Sequence, residues 1–126
     1  MSVDIVLKNA GRWTRLVICL VGFSASSAFA KVDVKEQLAF GNKAALQDLW
    51  NEAKFRWLKV LQVDPGNGAA HNNLGVAFEK EGKMEAAVEE YRKAVKALPG
   101  NSYAQKNLQR CQELLKTAQG AKEEKK

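Results

Sequence analysis

The sequence has 126 residues, 46% of them apolar and 27% charged, with a formal net charge of +6. This length suits one small domain and is short for two. The 20 basic residues are interleaved with 14 acidic residues rather than collected in a run, so the charge pattern indicates a mixed solvated surface and disfavours a nucleic-acid partner.

The first thirty residues have the composition of an export signal. Basic residues precede an apolar run at 16–23, and small residues ending in Ala28-Phe29-Ala30 follow it. A positive segment, a short apolar segment and an A-x-A site are the parts of a secretory signal peptide, and the apolar run is short for a membrane-spanning helix. We expect residues 1–30 to be removed and the mature protein to be periplasmic or secreted. Retention as an uncleaved membrane anchor is the alternative.

Five helices are predicted after the signal, at 34–47, 49–63, 68–81, 84–97 and 102–118. In the fourth and fifth, apolar residues recur at three- and four-residue steps, which is the spacing of one helix face. Asp33 followed by Glu36 resembles a capping box, and Asn67 and Asn101 follow Pro-Gly pairs where they can cap the next helix. Residues 119–126 are almost entirely polar and are expected to form a disordered, charged tail.

A shift of 34 residues aligns the first predicted helix pair with the second. It aligns Trp57 with Tyr91 and the turn Pro65-Gly66-Asn67 with the turn Pro99-Gly100-Asn101. The same shift sets Asn73 on Asn107, so the last segment begins a third unit and does not complete it. The sequence therefore predicts two repeats, 34–67 and 68–101, followed by a capping helix at 102–118.

The second repeat carries a recognisable pattern of large and small residues, namely His71-x-x-Leu74-Gly75-x-x-Phe78, then Gly82, Ala87, Tyr91, Ala94 and Pro99. This pattern resembles the tetratricopeptide repeat family, with His71 in place of an aromatic residue. The first repeat departs from it, since Asp48 stands where the hairpin glycine is expected. The resemblance implies an all-α fold, a right-handed superhelical stack of antiparallel helix pairs.

Catalytic, cofactor-binding and metal-binding residues are not predicted. The single histidine, His71, lies at a core position of the repeat, so a packed and hydrogen-bonded role is favoured over a ligand or base, and phenylalanine is expected to be tolerated there. Cys111 lies on the apolar side of the last helix and is expected to be buried and inert. An enzyme is therefore not expected.

The resemblance also implies a concave face, made by the first helix of each pair, that binds an extended or helical peptide. Mapped onto this sequence, the residues of that face are Leu38, Asn42, Ala45, Asn72, Asn73, Val76, Glu79, Tyr103, Lys106 and Arg110. Asn42 and Asn73 match asparagines that the family uses to bond the backbone of its partners; the alternative is that both are simply common residues of the repeat. Lys106 and Arg110, one turn apart, suggest a hypothesis in which the partner presents an acidic or C-terminal carboxylate group.

The predicted function is that of an exported scaffold or adaptor that holds a protein or peptide partner in this groove, in a bacterial cell-envelope assembly. Self-association is the main alternative, because two repeats leave little core and an end of the stack open. The apolar residues at that end are Leu38, Leu46, Leu49 and Trp50.

Overall fold

A computed structural model describes residues 31–123, with side chains as far as residue 121; the predicted signal at 1–30 lies outside the described residues. The described part is helical and has no strand. Its helices are α1 (Val34–Leu46), α2 (Trp50–Val63), α3 (Gly68–Lys80), α4 (Met84–Ala97) and α5 (Ser102–Glu123). Consecutive helices pack against each other in a stack of pairs, which confirms the predicted fold class.

Three helices begin at the predicted capping residues. The side chain of Asp33 accepts a hydrogen bond from the backbone N–H of Glu36 at 3.0 Å. Asn67 accepts in the same way from Ala70 at 3.0 Å, and Asn101 caps the start of α5. Because α1, α3 and α5 are the first helices of their units, this capping recurs once in every unit.

The turn inside each pair uses one residue in the left-handed conformation. Gly82 has a φ of 72°, and Asp48, which is its equivalent after the 34-residue shift, has a φ of 58°. Glycine adopts this conformation freely, whereas aspartate does so at a cost of about 1–2 kcal/mol. The first pair therefore keeps the geometry of the second although it lacks the glycine.

Close packing within each pair depends on a glycine that faces an aromatic ring. A methyl group at Gly75 would come within 2.5 Å of Tyr91 Cε1, and one at Gly41 within 2.7 Å of Trp57 Cδ1. Both distances are far below van der Waals contact. Tyr91 and Trp57 are 0% and 2% exposed, so each ring fills the space between its two helices.

The core consists of two apolar clusters. The first joins α1, α2 and α3 around Trp57 and Leu74. The second joins α4 to α5 around Tyr91 and Cys111, the latter fully buried as expected. The packing of α5 onto α4 agrees with its predicted role as a cap.

The end of the last helix differs from the prediction. We expected it to stop at 118 and to be followed by a tail at 119–126, but α5 continues to Glu123. Its last turns include Ala118, Gln119 and Ala121, which are good helix formers, and Gly120 is the one weak residue among them. Low hydrophobicity thus marked a solvated helix end rather than the end of the helix.

Candidate peptide-binding face

A row of asparagine side chains crosses the surface shared by the first helices of the three units. Asn73 on α3 donates to Oδ1 of Asn42 on α1 at 2.8 Å, and Asn72 donates to Asn73 at 3.4 Å. Asn107 on α5 donates to Oδ1 of Asn72 at 3.1 Å. We call this surface, defined by Asn42, Asn72, Asn73 and Asn107 on α1, α3 and α5, the asparagine face.

The row is anchored to the core at one end. Oδ1 of Asn42 also accepts a hydrogen bond at 3.2 Å from Nε1 of the buried Trp57. In these bonds Asn42 acts through its oxygen alone, so its amide N–H groups are available to an acceptor such as a peptide carbonyl. The asparagines are therefore both held in place and partly available to a ligand.

Asn107 is the residue of this row that was not predicted from the sequence to lie on the binding face. Its position follows from the 34-residue shift, because it is the equivalent of Asn73. That equivalence was the signal that could have identified it. The bond between Asn72 and Asn107 could not be foreseen in this way, since it joins residues 35 positions apart whose side chains meet only when α5 lies beside α3.

A second polar cluster lies at the side of the asparagine face. Both oxygens of Glu79 on α3 accept hydrogen bonds from the guanidinium of Arg110 on α5, one of them at 2.9 Å. The hydroxyl of Tyr91 on α4 donates to the same carboxylate at 2.7 Å. Glu79, Arg110, Val76 and Lys80 line a pocket of about 270 Å³.

This cluster sets the protonation of its members. Burial acts to raise the pKa of Glu79, but the hydrogen bonds from Arg110 and Tyr91 outweigh it and hold that pKa below its usual value. Burial, together with the bond to Glu79, raises the pKa of Tyr91. Glu79 is therefore an anion paired with the Arg110 cation, and the pair carries no net charge.

The remaining predicted residues differ in how much surface they offer. Tyr103 is 77% exposed and Lys106 is exposed as well. Leu38 and Ala45 pack partly against the first core cluster, and Val76 packs partly against the second. The face thus combines fixed amides, half-buried apolar side chains and one free aromatic ring. Of the predicted basic pair, Arg110 is already occupied by Glu79.

His71 has a structural environment on another side of the molecule. It is 8% exposed, with Nδ1 2.6 Å from Glu90 Oε2 and Nε2 2.8 Å from the carbonyl oxygen of Pro65. That carbonyl only accepts, so Nε2 donates to it. Burial acts to raise the pKa of Glu90, but hydrogen bonds from Lys93 and His71 hold it below its usual value. Glu90 is therefore ionised, and the His71 ring, placed between this carboxylate and the Pro65 carbonyl, ties α3 to α4 and to the turn before α3.

The helix pairs recur every 34 residues. In each pair a glycine packs against an aromatic ring, and the first helix of each pair adds asparagine side chains to the same face. These features define a helical repeat protein. Residues 68–101 match the family model described as "Tetratricopeptide repeat". These residues form one repeat of this family, and repeats of this kind commonly mediate protein–protein interaction.

Two curated relatives are similar to the chain over about two thirds of its length. "Sperm-associated antigen 1" of Mus musculus is 28% identical over 89 residues, and the protein of the same name from Rattus norvegicus is 30% identical over 88 residues. Each alignment covers 68% of this chain and 10% of the relative. The chain therefore spans about a tenth of the length of the curated relatives that it matches.

None of the helices described here combines the length and the apolar character that crossing a membrane requires. In the same part of the chain, no group of three or more His, Cys, Asp or Glu side chains is placed to hold a metal ion.

Proposed function

We propose that this protein is a non-enzymatic, exported scaffold that binds an extended or helical segment of a partner protein on its asparagine face, as part of a bacterial cell-envelope assembly. The observation that carries the proposal is the row of asparagines hydrogen-bonded across α1, α3 and α5. A row of fixed amides costs little conformational entropy when it bonds a ligand, because its side chains are already ordered.

The chemistry of the face favours a peptide over a small molecule. Asn42 offers amide N–H groups to backbone carbonyls, and the exposed ring of Tyr103 offers a flat apolar surface to a side chain. Lys106, one turn from Tyr103 on α5, offers a cation to an acidic side chain or a C-terminal carboxylate. These groups lie on α1 and α5, at the two ends of the asparagine row, which suits an extended ligand.

Export and the envelope location rest on the sequence of residues 1–30. Their basic segment, apolar segment and A-x-A site support transport out of the cytoplasm and removal of the signal.

Site-specific photo-crosslinking in producing cells tests the binding face. Benzoylphenylalanine replaces Tyr103, an exposed aromatic position where the change is small, and in a matched control it replaces the exposed Arg92 on α4. Adducts with another protein are expected from position 103 and not from position 92. Equal adducts from both positions, or adducts from position 92 alone, would refute the proposal.

A further inference from the structure

The outer surface of the first helix pair carries two exposed phenylalanines. Phe40 on α1 is 46% exposed and Phe55 on α2 is 49% exposed. The guanidinium of Arg56 lies 5.5 Å and 5.7 Å from the centres of their rings, and Nζ of Lys59 lies 4.5 Å from the ring of Phe55. Such cation–π contacts organise the surface but leave the outer side of both rings in water.

The repeat shows why this surface is incomplete. Phe40 is the 34-residue equivalent of Leu74, which is 2% exposed because the preceding helix pair packs against it. No helix pair precedes α1 in the part of the chain that the structure describes. Phe40 therefore stands at a position that the repeat geometry normally covers.

The opposite end of the stack, at α5, is not suited to pack against this exposed surface in a second copy. The equivalent of Gly75 on α5 is Gln109, which is exposed, and the equivalent of His71 is Gln105, which is also exposed. A glutamine where close helix packing requires glycine marks α5 as a polar terminal surface. A copy stacking head to tail would place this polar surface on Phe40, so that arrangement is disfavoured.

The sequence of α2 is instead complementary to itself. Along one side of the helix, at three- and four-residue steps, lie Leu49, Glu52, Phe55, Arg56, Lys59 and Val63, which we call the α2 stripe. Its ends are apolar, with Leu49 53% and Val63 52% exposed. Glu52 and Lys59, of opposite charge, lie at equal distances along the chain from its centre between Phe55 and Arg56. Glu52 is paired at 2.6 Å with Arg56 of its own helix. Two such stripes placed antiparallel bring Lys59 of the other copy to each of these Glu52–Arg56 pairs, and they set the Leu49 end of each stripe against the Val63 end of the other.

We propose that two copies of this protein associate through the α2 stripe, with the α2 helices antiparallel about a two-fold axis at Phe55 and Arg56. The interface is isologous, so each charge pair occurs twice. It lies apart from the asparagine face and goes beyond the proposed function: the dimer can be refuted while peptide binding holds, and the reverse.

Sedimentation over a series of concentrations tests the proposal, with the full chain and with a chain that begins at Lys31, since Val32–Lys126 forms a compact unit of its own. A concentration-dependent dimer is expected for both. Glu52→Lys and Lys59→Glu should each weaken it by about tenfold or more, because each opposes like charges twice. Glu89→Lys on α4, where the exposed Glu89 pairs with Arg92, is the matched control and should not change association. Circular dichroism verifies that every variant folds.

Mixing the two single variants gives the sharpest result. A Glu52→Lys chain and a Lys59→Glu chain repel their own kind, but together they restore both opposite-charge pairs, so the mixture is expected to form a heterodimer. The double variant Glu52→Lys/Lys59→Glu should likewise regain self-association. A monomer at all concentrations, or folded single variants that fail to pair when mixed, overturns the proposal. Dimerisation of the full chain alone would mean that the contact needs the first thirty residues rather than the α2 stripe, which also overturns it.

Discussion

Arg110 on α5 and Glu79 on α3 form an ion pair with two hydrogen bonds across the junction between the second repeat and the capping helix. The same carboxylate accepts from the buried Tyr91 on α4, so three helices meet at one anion. Removing Glu79 would remove its two hydrogen bonds with Arg110 and the one with Tyr91. The Glu79–Arg110 pair therefore links the second repeat to the capping helix, and it also borders the asparagine face.

Acid should lower the stability that the Glu79 and Glu90 carboxylates provide. The folded-state pKa values of Glu79 and Glu90 lie below the usual 4.5, so their contribution to stability is present above that pH and is lost as the pH falls towards the folded-state values. We expect the free energy of unfolding, measured by urea titration, to fall below pH 4.5. In Glu79→Gln part of this fall should disappear, whereas Glu113→Gln on the exposed side of α5 should keep it. A Glu79→Gln profile parallel to that of the wild type would contradict the assignment.

Two helical glycines should respond oppositely to alanine. Gly75→Ala places a methyl group within 2.5 Å of Tyr91 and should destabilise the fold by about 1–3 kcal/mol. Gly120→Ala meets nothing within 4 Å in α5 and should stabilise the helix by about 0.5–1 kcal/mol. Thermal unfolding of both variants provides the comparison. The close glycine–ring contact would be disproved by equal effects of the two changes.

His71→Phe is now expected to be harmful, contrary to the expectation from the repeat pattern. Phenylalanine cannot donate to Glu90 or to the carbonyl of Pro65, and Glu90 has 14% of its side chain exposed. Leaving these acceptors without their donor should cost about 1–3 kcal/mol in the free energy of unfolding, measured by denaturant titration. The paired variant His71→Phe/Glu90→Gln should recover part of the loss. A His71→Phe protein as stable as the wild type would show that packing alone governs this site.

Lys106, rather than Arg110, should govern binding of an acidic partner. Lys106→Glu is expected to weaken binding of the photo-crosslinked partner by about tenfold, or 1.4 kcal/mol, and added salt should weaken wild-type binding. Arg110→Gln removes a cation that Glu79 already neutralises, so it should lower stability more than affinity. Titration calorimetry combined with thermal unfolding separates the two effects. Unchanged binding by a folded Lys106→Glu variant would exclude a carboxylate at this point.

Export predicts a defined new terminus. Mass spectrometry of the protein recovered from envelope or culture fractions should find Lys31 as the first residue, because the A-x-A site ends at Ala30. As a matched control, Ala30→Leu places a large residue at the cleavage site and should leave the precursor uncut. An intact Met1 in the membrane fraction of the wild type would replace the cleaved signal with an anchor.

The repeat architecture followed from the sequence because its signals are local. Helix periodicity, capping asparagines and the turn at Pro65-Gly66-Asn67 act within a few residues, and the 34-residue shift paired Trp57 with Tyr91. Four of the five helices match the predicted bounds within one residue at each end. The predicted end of α5 was wrong because the helix propensity of its residues, rather than burial, sustains its last turns.

The contacts between helices were decided by the tertiary structure. Asn42 and Asn73 were predicted to bind a partner, and that stays a prediction. Their bond to each other and the link through Asn72 to Asn107 depend on how far apart α1, α3 and α5 lie. The sequence predicted that Lys106 and Arg110 lie on one face of the last helix and both face the partner. In the folded chain Glu79 pairs with Arg110. A charge is neutralised by whichever opposite charge folding brings within hydrogen-bond distance, and residues 31 positions apart give no local sign of that.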